Sequence, residues 1–422
     1  MIRARVWGLL AVAVCGFTGY APAADDAKLK EQALKLNDLD TPEEMQEQLT
    51  ALLKDKEGTK ALVKVALKTH ESAPEKTKPF KFNASLVLAK AAHSLKEFDA
   101  AEVFYKQSVA LSGGKKDGRN HVSAHEGLMD LYWDQKDYAK VEEQARRFIE
   151  IAGADEVERA KPFFLEKLVQ SKAKQGDIAE ALQMADGLIK LDDGGWFFLQ
   201  LKAWVQRESG KLDDAIGTYE EVLEKISKNK QLEDDMKTRL SRNVRYLLSG
   251  LHVDNKSIDK AAAELQKLIK DDPENPTFYN DLGFIWADNG QKLDESETMI
   301  RKALELDTKL RKKLLEEKKI DEASAKKENA AYLDSLGWVL YKNKKYEEAV
   351  KYLEQATKDE DEGAHIEIWD HLADALVMLG KKKEAVVIWQ KALKFEDIST
   401  RDVERRKKVT EKMRKMKAEL AK

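Results

Sequence analysis

An all-α solenoid of stacked helix pairs is the fold class this sequence predicts, and three observations carry the prediction. Gly and Pro are scarce, 21 and 7 in 422 residues, too few for the turns of an all-β chain. Charged residues make up 36% and hydrophobic ones 42%, the balance expected of helices with one apolar stripe and long charged faces. One pattern of large and small apolar residues then returns many times along the chain. Lys and Arg total 74 against 77 Asp and Glu, a net charge of −3. That offers no global attraction to nucleic acid or to an anionic membrane.

Residues 1–23 have a composition of their own. Arg3 and Arg5 precede an apolar run from Val6 to Val14, and small residues end at Ala21-Pro22-Ala23. This is the pattern of a secretory signal cleaved after Ala23, so the expected location is periplasmic or extracellular. The run is too short for a permanent membrane helix, and no later stretch approaches that length. Cys15 is the one cysteine; its removal excludes disulfides, zinc–thiolate sites and cysteine nucleophiles. A lipoprotein signal with Cys15 acylated is the competing reading, although Val14 stands where a small residue usually precedes the cysteine.

Residues 24–80 are helical by pattern but lack the repeat. Thr41-Pro42-Glu43-Glu44 reads as a helix start, with Thr41 as N-cap, Pro42 at the first helical position and Glu44 closing a capping box.

The repeat occupies residues 81–399 and reads as eight units. The first five are marked by Phe98, Ala101 and Tyr105; Tyr138, Ala145 and Phe148; Ile178, Ala181 and Ala185; Leu212, Ala215 and Tyr219; and Ile258, Ala261 and Leu265. The sixth runs from Tyr279, Leu282, Gly283 and Trp286 to Ser296, Ile300 and Ala303. The seventh is the clearest: Leu333, Leu336, Gly337 and Leu340, then Tyr346, Ala349, Leu353 and Ala356. Trp369, Leu372, Ala373, Ala385, Trp389 and Ala392 form the eighth. An insertion follows unit four, so units one to six span 81–309. A charged helical insertion fills 310–329, and units seven and eight fill 330–399. Gly283, Gly337 and Ala373 let paired helices approach closely, and Leu353 and Trp389 fill the space between units.

These residues resemble the tetratricopeptide repeat, in an exported bacterial form. The resemblance implies two antiparallel helices per unit, superhelical stacking with helical caps, and a concave face lined by first-helix residues. Residues 400–422 read as the capping helix. Val409, Met413, Met416 and Leu420 form its apolar stripe, and Arg405, Arg406, Lys407, Lys408, Lys412, Arg414, Lys415 and Lys417 a basic face left in solvent. Such a face is suited to an acidic partner or to peripheral contact with lipid headgroups.

No motif for catalysis, cofactor or metal stands out. His70-Glu71 and His125-Glu126 lack the second His of H-E-x-x-H, and no phosphate-binding glycine loop occurs. His365 and His371 lie six apart, on different helical faces, and read as surface or packing residues. The expectation is a non-enzyme with no cofactor.

In the repeat's register, the concave face would carry Asp130, Trp133 and Asp134, then Glu166, then Trp204. Phe284 and Asp288 follow, then Asp334, Trp338 and Tyr341, then Asp370 and Asp374. An acidic surface interleaved with aromatics suits a basic and apolar peptide or helical segment of another protein, not nucleic acid. The same aromatics would also serve as packing between adjacent first helices. The function expected is a non-catalytic interaction scaffold of the bacterial envelope. The alternatives are a lipid-anchored envelope assembly factor and an accessory subunit of an enzyme complex.

Overall fold

The computed structural model describes residues 23–113, 118–151, 153–192, 195–360, 362–396 and 399–422. The leader assigned to 1–23, with its acylation alternative at Cys15, lies outside the described residues except for Ala23. Two compact units divide the chain, residues 1–184 and 185–422. Among the described residues every regular element is helical, so the all-α reading holds.

The first unit opens with α1 (Ala23–Lys35), α2 (Pro42–Lys54) and α3 (Lys56–Glu71), with α1 packed on α3. The start of α2 is held by its own sequence. Thr41 Oγ1 accepts from the Glu44 backbone N–H at 3.2 Å, and a Glu44 carboxylate oxygen accepts from the Thr41 N–H at 3.1 Å. Helix pairs follow: α4 (Phe82–Ser94) with α5 (Phe98–Leu111), and α6 (Gly118–Asp134) with α7 (Tyr138–Ile149). Then come α8 (Asp155–Lys174) and α9 (Ile178–Leu191), within which the division falls. Wholly buried Phe104, Phe148 and Phe164 fill the space between successive pairs, the last two stacked with centroids 3.6 Å apart.

The second unit runs α10 (Trp196–Glu208), α11 (Leu212–Lys228), α12 (Asp234–Asp254), α13 (Ile258–Asp271), α14 (Pro276–Asp288) and α15 (Leu293–Glu316). After the short α16 (Glu322–Lys326) come α17 (Ala330–Lys342), α18 (Tyr346–Ala356), α19 (Ile366–Met378), α20 (Lys382–Ala392) and α21 (Thr400–Leu420). Consecutive helices pair as α10–α11, α12–α13, α14–α15, α17–α18 and α19–α20. The extra residues after α10 lengthen α11 and α12 to 17 and 21 residues. The charged stretch at 310–329 continues α15 and folds back on it, Arg311 donating to Asp307 at 2.8 Å and to the Ser324 carbonyl at 3.2 Å.

Small residues set the spacing within pairs. A Cβ at Gly283 of α14 would lie 2.6 Å from Ile300 Cγ1 and 2.8 Å from the Ser296 carbonyl oxygen of α15. Only hydrogen fits there. The turns inside the pairs place one residue in the left-handed region, Lys96 at φ 61° and Lys344 at φ 63° for example, so the second helix reverses within two or three residues.

Helix α21 packs on α19 and α20 through fully buried Val409 and partly buried Met413 and Met416. Its basic face is not left wholly in solvent, which corrects the sequence expectation. Arg406 donates to the carbonyls of Leu393 (2.6 Å) and Phe395, and Arg405 and Lys412 reach carboxylates of α19.

Candidate functional site: the first-helix faces of the two units

In the first unit, α6 lies between α4 and α8 and presents one face at helical spacing: Arg119, Ser123, Glu126, Asp130, and Trp133 with Asp134. Asp130 and Asp134 are exposed and Trp133 is half-buried. Trp133 meets Tyr138 edge-on at 5.3 Å, and Lys167 Nζ of α8 stands 4.4 Å from its ring centroid. His93 Nε2 of α4 lies 2.9 Å from an Asp134 carboxylate oxygen. Burial pushes the Glu126 carboxyl above its ordinary range, and the nearby Asp130 adds to that. Glu166 is likewise raised by burial, against the pull of Lys167. The last turn of α6 holds no basic residue, so Asp130 and Asp134 oppose the helix dipole. Lys167 offsets only part of this charge.

In the second unit, Trp204 on α10 and Phe284 on α14 are half-buried, while Asp288 is exposed. Asp288 accepts the Trp338 indole N–H at 3.0 Å, and its carbonyl accepts Lys342 Nζ at 3.2 Å.

The remaining expected groove residues are engaged inside the protein. Asp334 is 5% exposed, and an oxygen of its carboxylate lies 2.9 Å from His371 Nδ1. Trp338, 9% exposed, is stacked between His371 and Tyr341 at centroid distances of 4.0 and 4.9 Å. Asp370, 2% exposed, accepts from Trp389 Nε1 at 2.9 Å, Lys412 Nζ at 2.8 Å and Arg405 at 3.3 Å. Asp374 accepts from Lys412 Nζ at 2.6 Å. The expectation of an open acidic and aromatic surface across α17 and α19 is therefore corrected. These side chains face the next first helix or α21, because Arg405 and Lys412 fold back onto them. Burial pulls the Lys412 ammonium down, but Asp370 and Asp374 outweigh it and leave its pKa raised. Burial likewise pulls His371 down, and Asp334, with Glu367, more than restores it.

Sequence reasoning missed the polar contacts that join successive first helices. Tyr246 of α12 donates to Asp281 of α14 at 2.7 Å, as Asp334 of α17 meets His371 of α19. Tyr246 and Asp334 each sit three residues before the small residue of their helix, Ser249 or Gly337. That shared offset is a signal the sequence did carry. His93, Glu126 and Lys167, on the α4, α6 and α8 faces, were also not singled out.

Among the described residues no group of three or more His, Cys, Asp or Glu converges to hold a metal. No helix among them is long and apolar enough to cross a membrane.

Residues 329–358, which cover α17 and α18, match the tetratricopeptide repeat family. Other consecutive helices pair in the same way. The chain is similar to the crystal structure of a tetratricopeptide repeat protein from Parabacteroides merdae: 13% identity over 68% of this chain and 98% of that one, TM-score 0.44. It is also similar to the crystal structure of MamA protein: 17% identity over 48% of this chain and 93% of that one, TM-score 0.34. No curated protein sequence matches it.

Proposed function

We propose that this protein is a non-catalytic interaction scaffold of the bacterial envelope. Its first unit would hold a basic and apolar segment of another protein against Asp130, Trp133 and Asp134. The exposure of the two carboxylates beside a half-buried indole carries this reading. Carboxylates there select Lys or Arg and speed encounter, while Trp133 supplies desolvated contact area. In the second unit Asp334, Trp338, Asp370 and Asp374 are already engaged internally. The envelope assignment rests on the composition of residues 1–23. Affinity purification from the envelope fraction tests both parts. A partner retained by the wild type and lost with Asp130→Asn/Asp134→Asn, at unchanged helicity, supports the reading. Equal retention by both proteins refutes it.

A further inference from the structure

The first helices of the second unit are joined in series by side-chain contacts. Tyr246 of α12 meets Asp281 of α14, and Asp288 of α14 meets Trp338 of α17. Asp334 of α17 then meets His371 of α19, and Asp370 of α19 meets Lys412 of α21. A fifth contact joins the two ends of this series. Arg401, in the opening turn of α21, donates to the carboxylate of Asp254, the last residue of α12, across 147 positions of chain. Helix α12 packs on α11 and α13, and α21 on α19 and α20. The fifth link therefore closes the series end to end, where the other four run between successive first helices.

This link has the properties of one that breaks and re-forms. The Arg401 side chain is 69% exposed and that of Asp254 27%. An ion pair so open to water shifts an equilibrium by roughly fivefold at most, and salt screens it. Asp254 also has a second cation, Arg207 of α10, at 3.7 Å. When Arg401 withdraws, Asp254 keeps Arg207 and Arg401 passes into water, so opening strands no charge without solvent or a partner. Val409, Met413, Arg406 and Lys412 hold α21 to its own neighbours from positions further along the helix. Stacked helix pairs contact only their neighbours, so small rotations at each pair add up along the stack. Their sum appears at its ends, where Arg401 and Asp254 stand.

We propose that Asp254 and Arg401 form a reversible clasp that holds the second unit closed on its first-helix side. Closing narrows the opening onto the faces of α14, α17 and α19, and release lets α12 and α21 separate. The clasp is a device of the second unit alone and does not rest on the Asp130–Asp134 patch binding anything.

The test is double electron–electron resonance on the full chain, with Cys15→Ser and spin labels on Asp259→Cys and Lys408→Cys. Both label sites are exposed, five residues beyond Asp254 and seven beyond Arg401. At low salt the account expects a dominant short-distance population. Raising salt to about 1 M should lower the ratio of short to long distances at least about twofold. Arg401→Glu, shown by circular dichroism to keep its helicity, should lower it as much at low salt and respond no further to salt. Distance distributions that coincide for Arg401→Glu and the Arg401 chain, whether short or long, overturn the proposal, since packing alone would then set the spacing of α12 and α21. So does a salt response that persists undiminished in Arg401→Glu.

Discussion

Lys412 Nζ lies 2.6 Å from an Asp374 oxygen and 2.8 Å from one of Asp370, tying α21 to the first-helix face of the last pair. Asp370 is 2% exposed, and this ammonium joins Trp389 and Arg405 in making its burial tolerable. Lys412→Ala should leave Asp374 without its cation and Asp370 with Arg405 as its cation, and so loosen α21. Hydrogen exchange should then speed up across 400–420 while α4 to α7 stay unchanged. Unaltered exchange in α21 would mean that its apolar stripe with Arg405 and Arg406 holds it without Lys412.

The Asp334–His371 pair predicts a related effect between α17 and α19. Asp334→Ala leaves an imidazole that is 1% exposed without its partner, a loss on the order of 3 kcal/mol. A raised histidine pKa contributes stability that is complete below the ordinary value of 6.5 and is lost as pH rises through the folded value. Urea denaturation of the wild type should therefore show falling stability on that side. Asp334→Ala should be less stable throughout and show a weaker slope.

His125 predicts the opposite dependence in the first unit. It is 5% exposed, beside Gln144 and 4.8 Å from His121, and burial lowers its pKa from 6.5 to about 4. A depressed histidine stabilises fully above 6.5 and loses that contribution as pH falls toward the folded value. Between pH 6.5 and 4 the loss approaches about 3 kcal/mol. Acid titration followed by circular dichroism should show it, and His125→Leu should flatten the curve.

Trp338 separates packing from recognition. Stacked on His371 and Tyr341, it should behave as a core residue, and Trp338→Ala should cost about 3–5 kcal/mol of stability. A melting temperature equal to that of the wild type would return Trp338 to the list of binding residues.

The fold was readable because its determinants are local and periodic. Thr41 and Glu44 form a capping box within four residues, and Gly283 and Gly337 announce a close helix crossing by their spacing. The site was readable only in part. Asp130 and Asp334 occupy comparable faces of their helices, yet one is exposed and the other buried. The difference comes from a partner on a neighbouring helix, His371 for Asp334, and from Lys412 for Asp370, 42 residues apart. Such contacts leave no mark on a helical period.

The central claim is that partner contact falls on the first unit's acidic face, while the last pair's acids are committed to α21. Photocrosslinking in cells from benzoylphenylalanine at Trp133 or at Tyr341, both aromatic and half-buried, tests it most directly. The account predicts adducts to another protein from position 133 and none from 341, whose crosslinks should stay within the chain. Adducts from 341, with none from 133, would contradict it.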